Sequence, residues 1–429
     1  MRTTLILIWL CGLALLAGVI ALSWNSNPYW MDAGGYAAIL AADRWVVHPP
    51  GHILFVAAGR LLHAVGFADC VVSAGMPNAF HGNPEGLCRP PEVAIVFANS
   101  YTTLQVLTLL LTLAGMLSLY RLLREVLDSL QSSLLVFASA LSWIPLLINH
   151  AGTSHASDFL TTPLLLWAAV RVTTRPTRSA TAALALAIVL SGGFRLTTFI
   201  MMGPLLLAVL WVNRRKPSVW VACAVGGLLL ALLQLLVIRV TGGWATYFGW
   251  AAKMNVVNRT YCVIHSGFTR LALFNLSRTL IWFGLATIGL WFALPRLRSP
   301  QPWKSKQRVL LVYGALATAG PLAVCALYLC EHPGYLAPAL AGFYLCVAVG
   351  WDRADGRPSF AKWPIVAMLV SLLLFFGMHY YRDPSTRGQA LANCLLLQFS
   401  ADGARHAFYV TSSDWLTLAE FAGVSGKRL

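Results

Sequence analysis

Apolar segments of about twenty residues recur along the whole chain, and this pattern limits the fold more than any other feature. A helix of that length crosses the hydrocarbon core of a bilayer, which is roughly 30 Å thick. The residues are 58% hydrophobic and 11% charged, with a mean hydropathy of +0.69, which is not the balance of a water-soluble globular protein. Because backbone polar groups inside a bilayer must be satisfied within the segment, the sequence predicts an all-α polytopic membrane protein.

The apolar segments divide into about eleven predicted transmembrane helices, an odd number that places the two termini on opposite sides of the membrane. They form a predicted transmembrane domain over residues 1–379, with a first outer loop at 25–91, a second long outer loop at 239–268 and a short outer C-terminal segment at 380–429. The predicted spans are Thr4–Trp24, Glu92–Leu123, Leu130–Ile148, Phe159–Val172, Ala180–Phe194, Leu196–Trp211, Val219–Ile238, Leu271–Leu294, Val309–Leu329, Tyr335–Val349 and Trp363–Met378.

Basic residues fall mostly in alternate loops between the spans, and their distribution predicts the orientation. The intervening loops at 149–157 and 331–334 contain no Lys or Arg. Cytoplasmic loops carry the excess of basic residues, so we predict a cytoplasmic N-terminus and an outer position for the loops that contain Asp32 and Trp244, most simply in a bacterial inner or plasma membrane. The net charge of +16 belongs to this pattern and does not indicate nucleic-acid binding. The basic set comprises Arg121, Arg124, Arg171, Arg175, Arg178, Arg214, Arg215, Lys216, Arg296, Arg298, Lys304, Lys306, Arg308, Arg353, Arg357 and Lys362.

The first outer loop has the pattern of a site built on a membrane surface. Asp32 follows the first span, and the two glycines after it permit a sharp turn. The pattern of Tyr36–Arg44 then predicts a short amphipathic helix. The two prolines in the run from His48 to Gly51 end that helix. A second apolar helix is predicted at Ile53–Val65. The simpler alternative is that Asp32 is a solvated flank and the prolines only a turn.

Further ionisable residues stand at the predicted outer ends of the spans. Ionisable groups near a membrane are energetically costly, so each of them is a candidate functional residue. The simplest geometry is one cavity that opens to the outer leaflet. Arg195 stands between two spans with almost no loop, and its guanidinium can hold a phosphate by two parallel hydrogen bonds. The alternative for the histidines and the glutamate is that they lie in a solvent-exposed loop and have no functional role. The other members of this set are His150, His155, Asp158, Glu331 and His332.

Two of the nine cysteines, Cys70 and Cys88, flank a Gly-, Pro- and Asn-rich part of the first outer loop. Both are predicted on the oxidising side of the membrane, so we predict a disulfide between them that closes this part of the loop, with two free thiols as the alternative. The other cysteines lie mostly in apolar runs, where packing is the simpler explanation. We find no convincing metal triad, so we expect no required cofactor, although a divalent metal stays open.

The residues of the first outer loop resemble the GT-C class of integral-membrane glycosyltransferases. Asp32 soon after the first span, followed by His48-Pro49-Pro50, is most similar to the protein O-mannosyltransferases and their prokaryotic relatives. The stretches GGFRLTTFIMMGPLLL and HPGYLAPALAGFYL also resemble late-span motifs of that class. Two features depart from the pattern: Asp32 has no second carboxylate beside it, and we expect no large soluble C-terminal domain within the short segment 380–429.

The resemblance implies transfer of a sugar from a polyprenyl-phosphate-linked donor to an acceptor hydroxyl on a protein, lipid or glycan, at the outer membrane face. Asp32 is the implied general base. Arg195 is the first choice for the residue that binds the donor phosphate, and Arg259 and Lys253 are the next candidates. The expected positioning residues are Tyr36, Arg44, His48, His155, Asp158, Glu331, His332 and Tyr335. A transporter or lipid flippase, or a non-catalytic subunit that binds a lipid-linked glycan, remains as an alternative.

The predicted orientation can be tested by cysteine labelling in intact cells. In a cysteine-free background, Asn255→Cys should react with a membrane-impermeant maleimide, because residue 255 is predicted outside. Ser305→Cys should react only after the membrane is opened. The reverse pattern would show that the orientation is inverted.

Overall fold

The computed structural model describes most of the helical part of the chain, and all the secondary structure in that part is helical. Residues 24–35, 41–50, 67–90, 292–302 and 382–429 are the longer stretches outside it. The described residues are 2–23, 36–37, 39–40, 51–66, 91–149, 152–261, 263–288, 290–291, 303–328, 333–353 and 362–381.

The α-helices of the described residues are numbered in chain order. A 3-10 helix at Pro333–Leu336 leads directly into α15. The helices are α1 (Arg2–Ser23), α2 (Ile53–Ala64), α3 (Pro91–Leu123), α4 (Ser129–Ala140), α5 (Trp143–Ile148), α6 (Ala156–Thr174), α7 (Arg178–Phe194), α8 (Leu196–Met201), α9 (Gly203–Val212), α10 (Pro217–Val240), α11 (Trp244–Tyr261), α12 (Val263–Ser266), α13 (Arg270–Ala286), α14 (Ser305–Leu327), α15 (Ala337–Arg353) and α16 (Lys362–Tyr381).

Five described segments are long and apolar enough to cross a membrane, judged by length and composition. They support an integral membrane protein, while the predicted number of about eleven spans is not confirmed. Some of the remaining predicted spans coincide with shorter apolar helices, such as α7 and α16. The five segments are Thr3–Ala21, Ser100–Leu123, Pro217–Val240, Ser305–Leu327 and Pro333–Arg353.

Two predicted spans are wrong as continuous helices. The span Leu130–Ile148 is divided into α4 and α5, and the span Leu196–Trp211 is divided into α8 and α9. Each break lies shortly before a proline, Pro145 in α5 and Pro204 in α9. A proline ring collides with the carbonyl four residues earlier in a continuous helix, so the chain restarts with the proline in the first turn of the next helix.

The helices of the two predicted outer loops are partly as expected. The second apolar helix is confirmed as α2, which packs against α3 and α7. Tyr36, Ala37, Ile39 and Leu40 are helical and buried, as the predicted amphipathic helix requires. The segment 239–268, predicted as a long loop, instead consists largely of the helices α11 and α12.

Helix α6 lies at the centre of the bundle, where it packs against α3, α7, α14 and α15. Its residues are buried over most of its length, including polar ones such as Asp158, Thr161 and Thr162. Helix α15 is equally enclosed, because every residue from Ala337 to Gly350 is buried. Such all-round burial distinguishes α6 and α15 from α10, whose many exposed leucines and valines form a face suited to lipid.

Helices α14 and α15 are in close contact because a glycine on each faces the other. A Cβ atom on Gly342 would lie 2.5 Å from the carbonyl oxygen of Gly314, and a Cβ on Gly314 would lie 2.9 Å from that of Gly342. Small residues at such crossings let two transmembrane helices approach closely enough for their backbones to touch.

This contact predicts a loss of stability on adding one methyl group. Gly342→Ala should lower the melting temperature of the detergent-purified protein, since overpacking a close contact costs roughly 1–3 kcal/mol. Gly227→Ala is the matched control, because a Cβ at that position has nothing within 4 Å. An equal melting temperature for both variants would contradict this account of the contact.

Candidate functional site

The site is built around Arg195, which stands between two helices. Helix α7 ends at Phe194, Arg195 has extended backbone angles (φ −152°, ψ 107°), and α8 begins at the next residue. The Arg195 amide still donates to the carbonyl of Ser191, 3.0 Å away, so the break is tight. Its side chain is directed into the protein, where the residue is 2% exposed.

Asp158 is the partner of this buried cation. Arg195 Nη1 donates to Asp158 Oδ2, and the hydroxyl of Thr198 donates to Asp158 Oδ1. Asp158 lies in the first turn of α6, where the helix dipole favours a carboxylate, and its side chain has no exposed surface. Both carboxylate oxygens therefore hold α8 and the α7–α8 junction against the start of α6.

An aromatic side chain covers the guanidinium. Arg195 Cζ lies 4.9 Å from the centre of the Tyr335 ring, and the His155 ring meets the same tyrosine edge-on with a centroid distance of 4.8 Å. Tyr335 belongs to the 3-10 helix before α15. Cation–π contacts of a desolvated arginine contribute about 2 kcal/mol, so this contact reinforces the position that the ion pair sets.

Residues from the first outer loop complete the cluster. The Tyr36 hydroxyl donates to Ser154 Oγ over 3.0 Å, and its ring packs edge-on against those of His52 and Phe55. His52 Nδ1 lies 3.0 Å from the carbonyl oxygen of Phe194, so Nδ1 carries the proton and donates it. These contacts attach the first outer loop to the beginning of α6 and the end of α7.

Five of the predicted site residues therefore meet at one end of the bundle, although they come from four separate parts of the chain: Tyr36, His155, Asp158, Arg195 and Tyr335. Their meeting does not by itself assign their roles. Lys253 and Arg259 lie on α11, and their side chains are outside the described part of the structure. The predicted residues that also lie outside it are Asp32, Arg44, His48, Cys70, Cys88, His150, Glu331 and His332.

Sequence reasoning missed Thr198, Ser154 and His52. Thr198 stands three residues after Arg195, and its hydroxyl in an apolar run gave only a weak signal. His52 follows the two prolines that drew attention to His48 instead. Among the described residues, no group of three His, Cys, Asp or Glu side chains could hold a metal ion.

A carboxylate in such a site can either anchor a cation or remove a proton from a substrate. Asp158 is enclosed, and each of its oxygens already accepts a hydrogen bond, so it is suited to anchoring Arg195 rather than to removing a proton from an incoming hydroxyl. On Arg195, the Nε–H has no hydrogen-bond partner among the residues that the structure describes. A ligand oxygen that reached this buried cluster could accept a hydrogen bond from that Nε–H.

The same helical arrangement occurs in the crystal structure of ArnT from Cupriavidus metallidurans bound to undecaprenyl phosphate. The TM-score is 0.53 at 12% sequence identity, over 97% of this chain and 85% of that chain. ArnT is a GT-C glycosyltransferase, and the likeness of this chain to it concerns the fold alone. The apo state of the same ArnT gives a TM-score of 0.48 at 12% identity, over 96% of this chain and 76% of that chain. No protein-family model and no curated protein matches the sequence.

The GT-C class predicted from Asp32 and His48-Pro49-Pro50 is thus supported at the level of the fold. The finer expectation, that the nearest relatives are protein O-mannosyltransferases, is not supported, because the structural neighbours are of the ArnT type. At this identity the likeness concerns the arrangement of helices and leaves the roles of individual residues as predictions.

The buried pair predicts strong energetic coupling. Asp158→Asn and Arg195→Gln should each destabilise the protein by roughly 3–5 kcal/mol, because each leaves the other charge buried alone. The double variant should lose less than the sum, which a double-mutant cycle of thermal unfolding in one detergent would measure. Glu125→Gln is a control, since its partners Arg171 and Lys306 are 34% and 37% exposed. Additive losses at residues 158 and 195 would show that the pair is not coupled.

Proposed function

We propose that this protein is a membrane glycosyltransferase that transfers a sugar from a polyprenyl-phosphate-linked donor to an acceptor hydroxyl. The likeness to an ArnT structure bound to undecaprenyl phosphate, over 97% of this chain, carries the proposal. It agrees with the resemblance of the first outer loop to the GT-C class. The reaction is placed at the outer membrane face, on the predicted side of the Asp32 loop.

Asp32 is the proposed general base. The contacts of Asp158 favour this choice indirectly, since both oxygens of that buried carboxylate are engaged. Asp32 stands in the loop whose helical residues, Tyr36 among them, pack against the Arg195 cluster. A base in that loop would act beside the cluster, on an acceptor hydroxyl that attacks the anomeric carbon and inverts it.

Arg195 is the proposed first ligand of the donor phosphate, with Arg259 and Lys253 as further cations. The leaving group is a lipid phosphate, so positive charge must stabilise the oxygen that departs. The Nε–H of Arg195, which has no hydrogen-bond partner among the described residues, supports this assignment, because Asp158 occupies only Nη1 and fixes the plane of the guanidinium. Tyr36, His155 and Tyr335 would then orient the sugar or the acceptor, together with Arg44, His48, Glu331 and His332.

Turnover of donor lipid by the purified protein tests the activity directly. Release of polyprenyl phosphate with transfer of the sugar is expected only of a transferase. A flippase would move the donor between leaflets of a vesicle without consuming it, and a non-catalytic glycan-binding subunit would bind the donor and leave it intact. No turnover with any polyprenyl-linked sugar would remove the proposal.

Asp32→Asn should reduce sugar transfer by roughly 10²–10⁴-fold, because the amide keeps the size of the carboxylate but cannot accept the proton. Asp32→Glu should recover little, since a displacement near 1 Å can cost about 10²-fold. Single-turnover transfer and donor binding, measured on the same preparations, separate catalysis from binding.

The control variant is Asp43→Asn, which removes a carboxylate from the same loop. It should transfer sugar at the unmodified rate. Melting temperatures with and without donor must match among all three variants, because a lost fold would also abolish activity. Transfer by Asp32→Asn at the unmodified rate would show that Asp32 is a solvated flank.

A further inference from the structure

A groove opens on the bundle surface at the end opposite the Arg195 cluster. It lies between the N-terminal parts of α7 and α10 and has a volume of about 480 Å³, within the range of roughly 300–1,000 Å³ that ligand sites occupy. Its walls are mainly apolar, formed by Ala182 and Ala185 on α7 and by Val221, Ala222 and Val225 on α10.

The groove lies on the N-terminal side of the close contact between α7 and α10. Farther along they touch, since a Cβ on Gly226 of α10 would lie 2.9 Å from the carbonyl oxygen of Ala185. Before that contact most of the lining side chains are small, Ala182 and Ala222 among them, and they leave space between the helices. Val221 and Val225 are 57% and 44% exposed, so one side of the groove continues into the outer apolar surface of α10.

Cations are concentrated in and near the loops at the N-terminal ends of the two helices that form this groove. Arg178 lines it. The other cations are in the two loops that precede α7 and α10, and these loops are adjacent because Lys216 Nζ donates to the carbonyl of Thr173 over 3.0 Å. No Asp or Glu occurs between Asp158 and Glu331 in the sequence. Among the described residues, no carboxylate pairs with any member of the group, which comprises Arg175, Arg178, Arg214, Arg215 and Lys216.

Two tryptophans indicate where the membrane surface lies relative to the groove. Trp211 and Trp220 are 71% and 49% exposed, and both contact Arg214, one through its guanidinium and the other through its carbonyl. Exposed tryptophans beside arginines are typical of the headgroup level. The apolar walls of the groove continue along α7 and α10 from that level, at the depth of the acyl chains.

We propose that this groove binds one anionic glycerophospholipid, with an acyl chain between α7 and α10 and the headgroup phosphate against Arg178 and the neighbouring cations. The apolar walls match the acyl chain, and Arg178 with the cations of the adjoining loops, none of which has a carboxylate partner among the described residues, matches the phosphate. Basic pockets between transmembrane helices select anionic lipids for this reason. The site lies at the end of α7 remote from Arg195, so it does not depend on the glycosyltransferase proposal.

Native mass spectrometry of the full-length protein tests the site, with phosphatidylglycerol and phosphatidylcholine of the same acyl chains as probes. The purified protein should retain one phosphatidylglycerol more strongly than phosphatidylcholine. Arg178→Gln should lower that preference about fivefold, the usual contribution of one cation near an anionic lipid. Ala182→Trp should reduce retention of the lipid by filling the groove from an exposed position.

Two variants serve as matched controls. Arg308→Gln removes an exposed cation at the same end of the bundle, and Leu186→Trp adds bulk on α7 at an exposed residue that does not line the groove. Neither should change lipid retention. Equal retention of the two lipids, or equal losses in the test and control variants, would overturn the proposal. So would displacement of phosphatidylglycerol by an equimolar polyprenyl phosphate, which would assign the groove to that lipid instead.

Discussion

The ion pair between Asp158 and Arg195 is the interaction on which the rest of the site depends. Removing two charges from water costs several kcal/mol each, and an apolar bundle offers few groups to repay that cost. Here Thr198 takes the second carboxylate oxygen, and Tyr335 covers the guanidinium. Because these partners come from α6, α8 and the segment before α15, the pair fixes the relative positions of elements far apart in the sequence.

The position of the predicted first outer loop depends on contacts next to this ion pair. Tyr36 and His52 are held by Ser154 and the carbonyl of Phe194, which flank Asp158 and Arg195 in the sequence. Any displacement of the pair would therefore be transmitted to the loop that contains Asp32. A catalytic carboxylate on a loop needs such support, since misplacement by about 1 Å costs roughly 10²-fold in rate. The buried pair thus helps to fix the geometry of the neighbouring loop.

Hydropathy was sufficient to predict the helical class and most helix positions, because a bilayer leaves few alternatives. The breaks before Pro145 and Pro204 were missed, since composition averages over a span and a proline does not always end a helix: Pro163 and Pro321 lie inside the continuous helices α6 and α14. Asp158, Arg195 and Tyr335 could be selected because ionisable and aromatic residues at span ends are conspicuous. Their pairing, and the parts played by Thr198 and His52, depend on how the helices pack, which local sequence does not encode.

Helix α7 carries an arginine near each end, and the surroundings of the two differ in a way that assigns them different partners. Arg195 is buried and already neutralised by Asp158, so a further anion must meet the remaining edge of a fixed guanidinium, which favours a ligand of defined shape. Arg178 is exposed, has only cations as charged neighbours in its own and the adjoining loop, and borders an apolar groove. Diffuse positive charge beside an apolar groove selects a ligand by its negative charge and its acyl chain rather than by the shape of its headgroup. One end of the helix is therefore suited to a specific phosphate inside the protein, and the other to a lipid drawn from the surrounding membrane.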